Sequence, residues 1–153
     1  MFRFYYRNMT QRHPTQNGCP MMITTVTKNR IRLFRNPAYA REAVEALYRT
    51  QHLHAFFIFG FVVMPDHCHF LLNVPEPETI SMVMKSYKSA VSFSIGLGPI
   101  WQPRFHIRST SNSRGALQYI HANPVVARLC DEVNSYPWSS ASGKWDVVQL
   151  DSV

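Results

Sequence analysis

Apolar positions along this chain recur with two periods, and the switches between them mark its elements. Met21 to Thr27 is rich in Ile, Val and Thr and predicts a strand. Lys28 to Pro37 reads as a basic loop. From Ala38 to about His52, Tyr39, Ala43 and Leu47 share one face, with Arg41, Glu42, Glu45 and Arg49 elsewhere, which predicts a helix. Phe56 to Met64 is apolar enough for a central strand. Pro65-Asp66 is a break, and His67 to Val74 is a third strand, antiparallel to the second if the turn is tight. Thr79 is placed to cap a helix running to about Phe93, with Met82, Lys85 and Ser89 along one side and Gly96, Gly98 and Pro99 ending it. Ile100 to Ile107 fits a fourth strand. Ser111 to about Ala122 fits a helix capped near Ser111 or Ser113, and Pro124 to Leu129 a further short helix capped by Asn123.

The order β-α-β-β-α-β predicts an α+β, ferredoxin-like (split βαβ) antiparallel sheet with helices on one face and extra C-terminal helices. The expected organisation is an N-terminal arm over 1–18, a single domain over 19–146 and a tail over 147–153. A chain of 153 residues is long enough to bury one core without a covalent staple.

Charge narrows the partners. Sixteen Lys and Arg stand against nine Asp and Glu, a net charge of +7. Eight of the basic residues lie between Met1 and Arg41, and no acid precedes Glu42. Such asymmetry points to a polyanion, most often nucleic acid, although a solubilising surface has the same composition. Cys19, Cys68 and Cys130 are odd in number and form no CxxC pair, so a disulfide framework or zinc knuckle is not expected. No apolar leader or membrane-length apolar run occurs, which predicts a cytoplasmic protein without a membrane partner.

Three short segments carry candidate chemistry. In Met64-Pro65-Asp66-His67-Cys68-His69, two histidines one residue apart on a strand project to the same side, so both imidazoles can face one divalent ion while Cys68 points away. Two ordinary polar residues on a half-exposed strand would look the same. In Tyr119-Ile120-His121-Ala122-Asn123-Pro124, Tyr119 and Asn123 lie one helical turn apart, so a phenol and an amide could face the same site. A core tyrosine with a capping asparagine is the plain alternative. His121 points elsewhere on the helix and is a weaker candidate. In Trp101-Gln102-Pro103-Arg104-Phe105, Gln102 and Arg104 share one strand face, a pair able to donate to phosphate. An amphipathic edge strand explains them equally well.

These segments, followed by Tyr136-Pro137-Trp138-Ser139-Ser140 and preceded by Thr25-Val26-Thr27-Lys28-Asn29-Arg30, stand in the order and spacing of the REP-associated tyrosine transposases. The resemblance covers about residues 20–142. It implies a single-tyrosine HUH endonuclease and strand transferase acting on single-stranded palindromic hairpin DNA through a 5′-phosphotyrosine. His67, His69 and Asn123 would be metal ligands, for Mg²⁺ or Mn²⁺, and Tyr119 the nucleophile. No nucleotide cofactor is implied, and a monomer and a homodimer both fit. Candidate DNA contacts are Arg30, Arg32, Lys85, Lys88, Gln102, Arg104 and Arg108. Asp66 departs from the family, where asparagine is more usual. Two other classes compete: a non-catalytic nucleic-acid-binding module on the same fold, and a metal hydrolase of small phosphoesters, which the positive charge disfavours.

Overall fold

The computed structural model describes residues 20–150, so the expected arm over 1–18 lies outside the described residues. Strands β1 (Met21–Thr27), β2 (Phe57–Met64), β3 (His67–Asn73) and β4 (Trp101–Ser109) form one sheet in the order β2-β3-β1-β4, every neighbour antiparallel. Helices α1 (Pro37–Leu53) and α2 (Ile80–Ile95) cross between the parallel, non-adjacent strands, as the split βαβ pattern predicts. Helix α3 (Ser113–Val126) follows β4.

Local chemistry sets the boundaries. Asn36 caps α1 through a 2.9 Å bond from the Ala38 amide to its Oδ1, with Pro37 in the first turn. Thr79 caps α2, and Gly96 ends it in the left-handed region at φ 74°. The two helices bury Ala43, Val44, Leu47, Val83, Met84 and Tyr87 against the sheet face that carries Ile23, Phe70, Leu72 and Phe105. Cys68 lies on that face too, packed in the core within 3.9 Å of the Tyr87 hydroxyl. By strand alternation, the two histidines flanking Cys68 project from the other face.

The link between β2 and β3 is two residues, Pro65 and Asp66, with Met64 paired to His67. It is clamped from outside: Thr27 donates from both its amide and its hydroxyl to the Asp66 carbonyl, and the Phe34 amide bonds the Pro65 carbonyl. The start of β3, where His67 sits, is thereby held in register with β1.

Helix α3 packs on the second face, over β2 and β3. Gly60 gives room at that approach: a Cβ there would displace the Leu117 side chain at Cδ1 and stand 3.2 Å from Ser140 Oγ. A small apolar cluster beneath the helix joins Ile120 to Met22, Phe59, Val62, Met64, Leu71 and Tyr136. The Tyr136–Ser140 segment covers the free edge of β2: the Val63 amide bonds the Trp138 carbonyl, Val62 bridges to Ser139, and the Tyr136 hydroxyl donates to the Val63 carbonyl. Ser140 Oγ then joins this edge to α3. It accepts from the Phe61 amide at 3.0 Å and lies 2.7 Å from His121 Nε2. Burial lowers the His121 pKa, so the ring is neutral, and an Nε2–H tautomer donating to Ser140 satisfies both groups.

Two expectations about α3 are corrected. The helix does not stop before Pro124. Pro124 lies two residues before the last helical residue, Val126, and forfeits its bond to the Ile120 carbonyl, yet the helix continues past it, and the turn closes by Arg128 N–H to Val125 O and Leu129 N–H to Pro124 O, with Arg128 left-handed at φ 61°. Asn123 is therefore inside the helix and caps nothing. The N-cap is Asn112, which accepts from the Gly115 amide at 2.9 Å, rather than Ser111 or Ser113.

Removing the Ser140 hydroxyl should cost about 1–3 kcal/mol, because a buried imidazole and a buried amide lose their partner. Urea unfolding of Ser140→Ala should show a lower midpoint with an unchanged slope. An unchanged midpoint would mean that α3 is anchored elsewhere.

Candidate active site

The site grows from strand alternation on β3. His67 and His69 share the α3-side face, with ring centroids 4.8 Å apart and planes at 77°. Each ring commits Nδ1. His67 Nδ1 lies 2.7 Å from Asp66 Oδ1, and His69 Nδ1 lies 2.8 Å from Thr24 Oγ1 on the neighbouring strand. Neither Nε2 has a hydrogen-bond partner among the described residues. An imidazole that donates through Nδ1 to an oxygen presents a lone pair at Nε2, the usual arrangement of a metal-ligating histidine.

Asp66 is held in turn by Arg30, whose Nη1 lies 3.1 Å from Oδ2. Burial pushes the Asp66 carboxyl up, but hydrogen bonds and charge from His67 and Arg30 outweigh it and leave the group below its ordinary range. The aspartate is thus ionised, and orients His67. His69 is only 6% exposed, and burial, with the nearby His67 and Arg108, brings its pKa down to about 4. Both effects favour the neutral ring that a metal requires.

Tyr119, on α3, completes the group. Its ring packs edge-on against His69, centroids 5.5 Å apart and planes at 67°. It is 54% exposed, so its hydroxyl is open to a large substrate while its ring is pinned. Asn123, one turn on, is half-buried. Among the described residues no group of three or more His, Cys, Asp or Glu is placed to hold a metal. Two imidazoles are therefore the nitrogen ligands available, and oxygen from Asn123 or from substrate would have to complete a shell.

The basic candidates separate by layer. Arg104 and Arg108 are exposed on β4 and alternate with Phe105 and Ile107, which face the helices. Arg108 pairs across β1 with Met22, and His106 with Thr24, the residue that also pairs with His69. His106 escaped notice in the sequence, although continuing the alternation beyond Arg104 would have placed it on this face. Gln102 precedes them, and its carbonyl accepts from Lys88 Nζ at 2.8 Å. Arg30 stands at the turn beside His67, and Arg32 is exposed just beyond it. Lys85 and Lys88 belong to α2, on the other side of the sheet, and are not brought to the histidine face. Among the described residues α3 lies over β2 and β3, Met22 and Val26 of β1 are buried, and the exposed part of this face is β4, with Arg104, His106 and Arg108.

A family described as "Transposase IS200 like" matches residues 15–123, a span that includes both histidines and Tyr119. The chain belongs to this family. An Escherichia coli (strain K12) REP-associated tyrosine transposase is 32% identical over 99 residues, covering 62% of this chain and 60% of that protein. The match therefore spans under two thirds of the curated relative's length. A solved structure of a REP-associated tyrosine transposase bound to a REP hairpin superposes with TM-score 0.71 at 27% identity, covering 85% of this chain and 84% of that one. A putative transposase from Deinococcus radiodurans R1 superposes with TM-score 0.54 at 19% identity over 68% of this chain and 88% of its own, a likeness of fold. The transposase frame agrees with the antiparallel sheet and its helices. No described helix is long and apolar enough to cross a membrane.

Acid should loosen this site before it unfolds the rest. In the metal-free protein His69 titrates near 4 when folded and near 6.5 when unfolded. The unfolded chain binds the proton first, so stability is full above about pH 6.5 and falls as pH drops toward 4, by up to about 3 kcal/mol. Urea denaturation between pH 7 and 4 should show a shallower loss in His69→Gln than in the parent. Equal slopes would assign the acid sensitivity to other groups.

Proposed function

We propose that this transposase-family chain is a metal-dependent endonuclease and strand transferase that cuts single-stranded hairpin DNA through a 5′-phosphotyrosine on Tyr119. The observation that carries this reading is the edge-on contact between Tyr119 and His69, which joins a solvent-open phenol on one element to a paired, Nδ1-anchored imidazole set on another. The hairpin bound in the structural relative supports the substrate class.

In this scheme the Tyr119 oxygen attacks phosphorus, the P–O3′ bond breaks, and a 5′-phosphotyrosine forms. The phenolic proton leaves to solvent, and the departing 3′-oxygen takes one up. The ester bond is exchanged rather than hydrolysed, so a 3′-hydroxyl can reverse the step and join strands without a nucleotide cofactor. His67 and His69, with Asn123 and substrate oxygen, would hold Mg²⁺ or Mn²⁺. Such an ion supplies charge neutralisation on the scissile phosphate. Asp66 keeps His67 in the ligating tautomer, and Thr24 does the same for His69. Arg104 and Arg108 stand exposed on β4, where they would take backbone phosphates, and Arg30 and Arg32 extend that surface past the turn. The resulting affinity should fall steeply with salt. One set of residues in one chain supplies this group, which fits a monomer. The cytoplasm is the compartment proposed.

Incubating the protein with labelled hairpin DNA and Mn²⁺ should yield a protein–DNA adduct that survives denaturation. Tyr119→Phe should abolish it, and His67→Ala with His69→Ala should reduce it at least about 100-fold while sparing most binding. Full cutting by Tyr119→Phe would reject the nucleophile and leave a hydrolase or a binding module.

A further inference from the structure

Tyr119 has a second neighbour besides His69. A cleft of about 350 Å³ opens on its other flank, lined by Met22, Arg108, Thr110, Asn112, Ala116 and Tyr119. This falls within the roughly 300–1,000 Å³ range of small-ligand sites. Its floor is apolar: Met22 is 8% exposed, and Ala116 belongs to the cluster beneath α3. Its rim carries unspent polar groups. Arg108 has no carboxylate partner among the described residues. Asn112 uses Oδ1 to cap the Gly115 amide, which leaves its Nδ2 hydrogens to donate. Thr110 Oγ1 accepts from the Asn112 amide, which leaves its hydroxyl proton to donate. Gly115 preserves this rim, since a Cβ there would stand 2.9 Å from Asn112 Cγ. An apolar floor, an aromatic wall, two donors and a cation with no carboxylate partner among the described residues match a nucleotide, with a base, a polar base edge and a phosphate.

Register sets which nucleotide. Leu71, Met22 and Arg108 form the cross-strand row next to the one holding His69, Thr24 and His106, so the cleft and the histidines lie along the same face, with Tyr119 touching both. In an in-line displacement the leaving oxygen departs opposite the attacking phenol. A cleft on the phenol's own flank is therefore suited to the strand that stays.

Building on the proposed cleavage reaction, we propose that this cleft seats the unpaired nucleotide immediately 3′ of the scissile phosphate, the one left joined to Tyr119. Its base lies over Met22 and Ala116, its edge meets Asn112 and Thr110, and Arg108 takes the next phosphate. Arg108 and Asn112 are then positioning and specificity residues for the retained strand.

The test uses the full chain, Mn²⁺ and a REP-type hairpin with single-stranded arms, after the cut has been mapped. An abasic site at the first nucleotide 3′ of the cut should lower adduct formation about tenfold or more, and one on the 5′ side should have little effect. Arg108→Ala should raise KM about tenfold and leave kcat within a few-fold. Asn112→Asp keeps a capping oxygen for α3 but turns a donor into an acceptor, so it should change which base is preferred there without lowering Tm. Independently of catalysis, thymidine 5′-monophosphate added to ¹⁵N-labelled protein should shift the Gly115 and Ala116 amides in the parent and not in Arg108→Ala. Adduct formation indifferent to the 3′ abasic site, or sensitive only to the 5′ one, would overturn the assignment while leaving Tyr119 as nucleophile. If no adduct forms on any hairpin, the cleavage reading fails, and unshifted Gly115 and Ala116 amides would then overturn the cleft as well.

Discussion

The close approach of α3 to β2 at Gly60 is the constraint on which the site depends. Two histidines on β3 are fixed by the sheet whatever the helix does, but a phenol meets them only if α3 lies low on the same face. The absent Cβ at Gly60 gives room at that approach, Ile120 drives it by burial, and the bond between His121 and Ser140 fixes the helix along its axis. The Tyr136–Ser140 segment therefore has a role at a distance. By pairing with the edge of β2 it presents Ser140 to the helix, and so holds Tyr119 over His69.

Leaving β4 exposed on one sheet face has an electrostatic consequence. The α1–α2 face is closed by a large apolar core, and on the opposite face a smaller cluster leaves β4 exposed among the described residues. Open β4 carries alternating basic and imidazole side chains directly beside a site with one ionised aspartate, already paired to Arg30. The charge along exposed β4 is therefore positive. The same burial keeps His69 neutral rather than a further cation, so the positive charge of this face sits on other residues.

Much of the fold was legible because its periods are strong. The Ile/Val/Thr run of β1, the apolar run of β2 and the Thr79 and Gly96 boundaries of α2 fall within a residue or two of their expected limits. Pro124 misled because the lost Ile120 carbonyl bond is tolerated here, and the helix runs on to a last turn closed by Arg128 and Leu129. The histidine pair was visible from spacing alone, and Tyr119 and Asn123 as companions one turn apart. What spacing cannot carry is the layer on which a helix packs. Lys85 and Lys88 looked equivalent to Arg104 and Arg108 as charges, and tertiary packing put them on opposite sides of the sheet. Likewise Asp66 offered two readings in the sequence, a turn cap or a modifier of the metal site. Its 2.7 Å contact with His67 Nδ1 makes it the partner of that ring.

The central claim is that the two Nε2 atoms and the Tyr119 hydroxyl surround one reaction centre. Anomalous diffraction from crystals soaked in Mn²⁺ would test it most directly. The account predicts a single strong peak within coordination distance of both His67 and His69 on the side of the sheet covered by α3, with the phenol facing it. A protein that binds Mn²⁺ elsewhere, or that leaves both imidazoles without metal at saturating concentration, would contradict it.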